Sequence, residues 1–417
     1  MKILQVHNYY QQRGGEDSVV AAEKQLLSEQ GHAIISYYKE NSSIVTSGKG
    51  FSAIIKLIST AMGTIWNGQS YREIKAILKK EKPDIVHCHN IFPLISPAVY
   101  WACFREKIPV IQTIHNYRLF CLNATFCRTT GPGCGLEICE QCLNRSFKWP
   151  GIRYKCYRNS LLGSFTIACM LFIHRIIGTW TKKVSGYIAL TEFQKKKLIE
   201  GGIPSEKVFV KPNFLQQNLE NFNDFRTDVE TEKQYVLFVG RLSKEKGCDV
   251  LIRAWAELKT RTAENCTRLL IAGDGPCLDE LNVLAEKLGV SGSISFLGSR
   301  KKDEINTLMR SARFLAFPSI WYEGFPMVIL EAFSADIPVV ASETGGLPSI
   351  IEDGITGFLF PLGNFRALAE KMETLLLNDD LLRRFKRDIA VRKEKFSSEK
   401  NYKMMMTIYS QILKSNA

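Results

Sequence analysis

The chain has 417 residues, of which 45% are hydrophobic and 23% charged, proportions that exclude a disordered chain and a collagen-like fibre. No apolar run reaches the roughly 20 residues that a bilayer span requires, which excludes a multi-pass membrane protein. The net charge of +13 is unevenly placed: residues 1–215 carry 28 Lys and Arg against 14 Asp and Glu, whereas 216–417 carry 27 against 28. A basic front half points to an anionic partner or to a solvated basic face. The basic residues are not interleaved with a recognisable nucleic-acid-binding motif, so no nucleic acid is expected. Length alone suggests two domains of about 200 residues each.

The N-terminus, MKILQVHNYYQQ, breaks its apolar run too early for a signal-peptide core, which predicts a chain retained in the cytosol. Apolar runs predict strands at Lys2–Val6, Ala33–Ser36, Ile85–His87, Val110–Thr113, Gly186–Leu190 and Val208–Lys211 in the front half. Near-continuous apolar strands separated by amphipathic stretches read as a parallel sheet covered by helices on both faces. After the first strand, Gly14 and Gly15 precede a helix beginning near Glu16. Backbone amides at such a start can cradle a phosphate, although the spacing is not the dinucleotide fingerprint and a tight turn reads equally well. Glu16 and Asp17 suit the helix dipole but repel a phosphate unless they turn away.

Six cysteines, Cys121, Cys127, Cys134, Cys139, Cys142 and Cys156, cluster in an insert spanning about 120–158. In a reducing compartment such a cluster binds metal more often than it forms disulfides. Cys139 and Cys142 have metal-ligand spacing, and with Cys121 and Cys156 they make a candidate structural zinc site. Cys127 and Cys134 remain as alternative ligands, and reduced thiols in a folded loop are the competing reading. The following stretch, Ser160–Lys183, is the most apolar of the chain. It carries no charge from Leu161 to Ile173 and has basic residues on both sides, Arg153, Lys155 and Arg158 before, and His174, Arg175, Lys182 and Lys183 after. An interfacial membrane helix and a buried helix of an α/β domain both fit it.

The polar, acidic stretch 216–233 reads as a linker, dividing a front domain, 1–215, from a second domain, 234–395. The second domain repeats the pattern, with strands predicted at Tyr235–Val239, Arg268–Ala272, Ile294–Leu297, Arg313–Ala316, Val339–Ala341 and Gly357–Phe360. Arg241 and Lys246 follow its first strand, where α/β domains bind ligands; two cations there suit a diphosphate, and solvated loop charges read equally well. Further on, the loop PSIWYEGFP carries Glu323 and ends at Pro326, which favours a helix start. Glu331 falls inside that helix among apolar residues and needs a partner, for which a ribose diol is suited. A C-terminal helix, within 396–417, is expected to use Met404, Met405, Ile408, Tyr409 and Ile412 as core contacts.

Together these residues resemble the family-four retaining glycosyltransferases of the GT-B fold over nearly the whole chain. The back half resembles them through VGRLSKEKG, LLIAGDGP, ISFLGS, the long run from FPSIWYEGFP to GFLF, and the E-x7-E spacing of Glu323 and Glu331; the front half does so through GGEDSVV, KPDIVHCHN and IHNYR. The resemblance implies two Rossmann-like, doubly wound domains facing across a cleft, with the C-terminal helix crossing back to the first. It implies a nucleotide-diphosphate sugar as donor, with Glu331 on the ribose. Arg241 and Lys246 would lie on the diphosphate, assisted by amides at Gly14 and Gly15, and Glu323 with the amides of Gly324 and Phe325 on the transferred sugar. His115, which read alone is a loop histidine with no assigned role, matches the family's histidine near that sugar. Two fixed cations and helix-start amides would stabilise the leaving diphosphate without a catalytic divalent metal, and no D-x-D element stands where such a metal would sit.

The function so implied is a retaining glycosyltransferase, a hexosyltransferase, extending a lipid-linked glycan in bacterial cell-surface polysaccharide synthesis. The basic front half and the Ser160–Lys183 segment suggest a peripheral enzyme on the inner face of the cytoplasmic membrane. The alternatives are a GT-B transferase with a soluble small-molecule acceptor and a non-catalytic nucleotide-sugar-binding protein.

Overall fold

A computed structural model describes residues 1–10, 14–41, 59–130, 135–215, 235–261 and 267–416. The chain forms two units. The first comprises Met1–Arg128, Cys139–Asn213 and Glu399–Ala417, and the second Thr129–Ile138 and Phe214–Ser398. The division differs from the sequence expectation in the cysteine-rich insert, whose segment 129–138 groups with the second unit. The predicted linker, 216–233, lies outside the described residues.

The first unit is built on six parallel strands: β1 (Lys2–Tyr9), β2 (Ala33–Glu40), β3 (Ile85–Cys88), β4 (Val110–Thr113) and, after a two-stranded hairpin of β5 (Cys127–Thr130) and β6 (Gly135–Ile138), β7 (Gly186–Ala189) and β8 (Val208–Val210). Their order is β2-β1-β3-β4-β7-β8. The order reverses direction between β1 and β3, and open parallel sheets bind ligands at that crevice, beyond the strand ends. This pair of strands was not legible in the sequence, because each is only four residues long.

The C-terminal helix, Ser398–Asn416, seals one face of this sheet. Met405, Ile408, Tyr409 and Ile412 pack with Ile3, Ile85, Ile111 and Ile188. Met404 corrects the sequence reading: it is 38% exposed, because it lies one position, about 100° of helix, from Met405 and so off the buried face.

The second unit repeats the architecture with β9 (Tyr235–Val239), β10 (Arg268–Ala272), β11 (Ile294–Gly298), β12 (Phe314–Phe317), β13 (Val339–Ser342) and β14 (Gly357–Phe360). The order is β11-β10-β9-β12-β13-β14, all parallel. This is the Rossmann order, with its reversal between β9 and β12. Each unit is thus doubly wound, and the two carry one chain's worth of GT-B fold.

The apolar segment forms a helix, Leu161–Ile176, capped by Ser160, whose side chain accepts from the Gly163 amide at 3.1 Å. One face, with Ile167, Ala168, Met170, Leu171 and His174, is buried. The other is apolar and exposed: Leu162 is 52% exposed, Phe165 49% and Ile176 68%. The buried reading therefore holds for one side of the helix, and the other side is apolar and exposed. No described helix is long and apolar enough to cross a membrane.

Candidate functional site

In the second unit, the loops after β9 and β12 meet at the point where the strand order reverses. Lys246 ends a short 3-10 turn, Lys244–Lys246, and is followed by Gly247 at φ +65°. A Cβ at Gly247 would lie 2.0 Å from the carbonyl oxygen of Pro318, so only glycine lets the two loops touch. The Ile320 amide donates to the Glu245 carbonyl at 2.9 Å and locks them in register.

That contact brings Lys246 Nζ to 2.6 Å from Glu323 Oε1, although 77 residues separate the two in sequence. Trp321 Nε1 donates to the same oxygen at 2.6 Å, and so does the Ser319 hydroxyl. Glu323 is 4% exposed. Three donors converge on one oxygen, which orients the carboxylate, and every one of these bonds leaves Oε2 aside. The Glu323 carbonyl in turn accepts from the Gly346 amide at 2.8 Å. Lys246 keeps a partly exposed ammonium, lying 5.1 Å from the Trp321 ring centroid. Arg241 stands exposed just beyond β9.

Gly324 and Phe325 precede the helix Met327–Ser334. Phe325 is buried edge-on against Phe396, with ring centroids 5.7 Å apart. Glu331 lies in the second turn of that helix. Burial raises its carboxyl above the usual range, with the Lys302 ammonium opposing. Carboxyl groups with raised pKa values recur at functional sites.

The first unit has its own constellation at the β1/β3 reversal. The Gly14 amide, expected at a phosphate, here donates to Asp17 Oδ2 at 2.8 Å. Asp17 Oδ1 meets His7 Nε2 at 2.8 Å. Glu16 is turned inward too. Burial and the neighbouring Asp17 charge push its carboxyl up to about 8, with Arg118 opposing, so at neutral pH it is largely protonated. Glu16, so protonated, adds no negative charge at this helix start.

His115 lies after β4 and lines a cavity of about 60 Å³ with Glu16, His89, Asn116, Arg118 and Trp180. Its Nε2 is 3.1 Å from His89 Nδ1. The His87, His89 and His115 rings stack in a row, with centroids 4.3 and 5.4 Å apart. Burial, opposed by Glu23, drives the His115 pKa down to about 3. Its imidazole is therefore neutral in the working range: it can align a sugar hydroxyl but supplies no positive charge. The row ends at a fully buried Glu23, whose Oε1 is 2.6 Å from Lys211 Nζ and whose Oε2 is 3.4 Å from His89 Nε2.

Sequence reasoning missed Ser319 and Trp321 as orienting groups, gave His89 and Arg118 only as parts of quoted motifs, and missed Glu23 and Lys211 altogether. Ser319 and Trp321 lie in an irregular loop, where no periodicity marks which side chains turn inward. Glu23 and Lys211 meet only through the sheet, from positions 188 residues apart.

Residues 13–217 match the family model described as Glycosyltransferase Family 4, and residues 220–392 match Glycosyl transferases group 1. The chain belongs to glycosyltransferase family 4. Among curated relatives, this family 4 chain is 39% identical over 162 residues to a D-inositol 3-phosphate glycosyltransferase of Corynebacterium jeikeium, covering 38% of this chain and 37% of the relative. It is 28% identical over 217 residues to an alpha-D-kanosaminyltransferase of Streptomyces kanamyceticus, covering 50% and 55%. The matched stretch thus spans only about a third to a half of these relatives. Among solved structures, HepE of Anabaena in complex with UDP and glucose superposes with a TM-score of 0.62 at 19% identity, covering 100% and 99% of the two chains. The lipopolysaccharide outer core galactosyltransferase WaaB superposes at 0.63 and 17% identity, covering 99% of both. These structural likenesses establish the GT-B fold.

Proposed function

We propose that this family 4 glycosyltransferase moves a hexose from a nucleoside-diphosphate sugar to a glycan acceptor carried on a lipid, with retention at the anomeric carbon. The observation that carries the donor assignment is the buried Glu323 carboxylate, locked through one oxygen by Lys246, Ser319 and Trp321. A carboxylate so held offers its second oxygen to sugar hydroxyls in a fixed direction. The adjoining ammonium retains protons for a phosphate oxygen, and Arg241 supplies a second cation from the same strand end. As the glycosidic bond breaks, charge accumulates on the departing diphosphate, and fixed cations there lower the barrier. Glu331 is assigned to the ribose diol, the amides of Gly324 and Phe325 to the sugar, and the neutral His115 with its cavity to aligning the reacting sugar. The complexes of HepE with UDP and with UDP-glucose support a uridine donor. A thermal-shift panel of nucleoside diphosphates and their sugars tests the donor assignment. A uridine diphosphate or its sugar is expected to raise the melting temperature most, and a flat panel would remove the donor site.

The lipid-bound acceptor rests on the exposed stripe of Leu161, Leu162, Phe165, Ile173 and Ile176, flanked by Arg153, Lys155, Arg158, Lys182 and Lys183. An apolar face with cations at both ends suits the surface of an anionic bilayer, where each basic residue near the surface adds about 1 kcal/mol. This favours the membrane-peripheral reading over a soluble acceptor of the kind named for the inositol-phosphate relatives. The full chain is expected to float with phosphatidylglycerol vesicles at low salt. The double variant Phe165→Asp, Ile173→Asp should lose flotation while keeping its donor-induced thermal shift. Wild-type protein that stays in the soluble fraction would support the soluble acceptor instead.

A further inference from the structure

The first unit holds a second constellation that the donor and acceptor chemistry does not use. Cys121, Cys127, Cys139, Cys142 and Cys156 all line one cavity of about 10 Å³. They arrive from separate stretches of the insert: the turn after Tyr117, strand β5, the turn that follows β6, and the turn after the short helix Trp149–Arg153. None is in a disulfide. Cys134 lies outside the described residues. The segment is rich in turns, and small irregular folds of this kind are often stapled covalently or by metal.

The cavity's surroundings bear an electrostatic signature. Lys148 is 2% exposed, yet its ammonium is met only by the carbonyl oxygens of Cys142, Leu143 and Arg145, at 2.7, 3.3 and 2.6 Å. No carboxylate pairs with it among the described residues. A buried cation without a counter-anion is costly. Arg128 also lines the cavity, its guanidinium 4.4 Å from the Tyr154 ring centroid. Four thiolates around one divalent ion carry a net charge of −2, part of which the buried Lys148 ammonium offsets.

The donor set suits zinc: soft thiolates, C-x2-C spacing and a closed, partly buried position are those of structural sites. The sulfurs ring the cavity and are not among the ligand triads that converge within 4.8 Å in the described residues, so binding requires them to draw inward. We propose that Cys121, Cys139, Cys142 and Cys156 bind one structural zinc ion as thiolates, with the buried Lys148 ammonium as a charge-offsetting neighbour. Four thiols lose their protons to solvent as the ion binds, and no redox change occurs. Cys127 stands beside the site without ligating.

Metal analysis of the full chain, purified with a reductant and without chelator, is the test. About one zinc per chain is expected, released on mercurial titration of the thiols. Chain refolded with cobalt should show the visible absorption of tetrahedral cobalt-thiolate. Cys127→Ser should retain the metal, and Cys139→Ser and Cys156→Ser should each lose most of it. Wild-type protein free of zinc, or carrying iron in its place, would overturn the proposal. So would retention of full zinc by Cys156→Ser together with its loss from Cys127→Ser. The wild-type measurements stand even if the ligand variants fail to fold.

Discussion

Replacing Lys211 with methionine is expected to cost the protein about 3–5 kcal/mol of stability, the range for breaking a buried ion pair by removing one partner. Lys211 and Glu23 are both fully buried, with Nζ 2.6 Å from Oε1. Burial alone would push the Glu23 carboxyl up, but the Lys211 and His87 charges and the Lys211 hydrogen bond outweigh it and hold it below its usual range. Without the ammonium, the carboxylate sits in the sheet core beside His89, stripped of its largest compensating charge. Asn401, from the C-terminal helix, also accepts from Lys211 at 3.2 Å and would lose its partner. Urea unfolding or a thermal melt of Lys211→Met should show a drop in melting temperature on the order of 10 °C. The double variant Glu23→Gln, Lys211→Met should recover much of the loss, because an amide buried without charge costs far less. A single variant melting with wild type would show that solvent reaches this pair, contrary to its burial.

The largest effect on activity is expected at Lys246. Its ammonium is assigned to charge that develops on the leaving diphosphate, so Lys246→Ala should lower turnover by about 100- to 1,000-fold, the usual result of deleting one fixed group at a developing anion. The appropriate assay is release of nucleoside diphosphate from the donor that stabilises the protein best, with the acceptor left out if it is unidentified. Glu323 keeps its bonds from Ser319 and Trp321, so the loop should hold and the melting temperature should fall only modestly. The loss should appear mainly in kcat, since the cation acts on charge present chiefly in the transition state. Lys246→Arg is expected to restore little, because a planar fork cannot take a point charge's place against Trp321 and Glu323 together. Turnover by Lys246→Ala within tenfold of wild type would dissociate this group from the reaction.

These two lysines show why part of the protein was legible in advance and part was not. All twelve strands of the two parallel sheets were marked by short apolar runs. The observed strands differ mainly in length, β1 and β2 running on to Tyr9 and Glu40, because edge and end residues that pair in a sheet need not be apolar. Lys246 was singled out because a cation after a first strand has local meaning. Lys211 was not, because nothing around it in sequence distinguishes a buried ammonium from a solvated one.

The sequence by itself determined the alternation of strand and helix, the doubling of that pattern, and the motifs after β9 and β12 that mark a ligand site, since these depend on residues a few positions apart. Tertiary structure alone decided the bond from Lys246 to Glu323, the burial of Glu23 against Lys211, the gathering of five cysteines round one cavity, and which side of an all-apolar helix meets solvent. Each of these depends on strand order and on surface covered by distant segments, and a side chain's charge or polarity says nothing of either until the sheets have assembled.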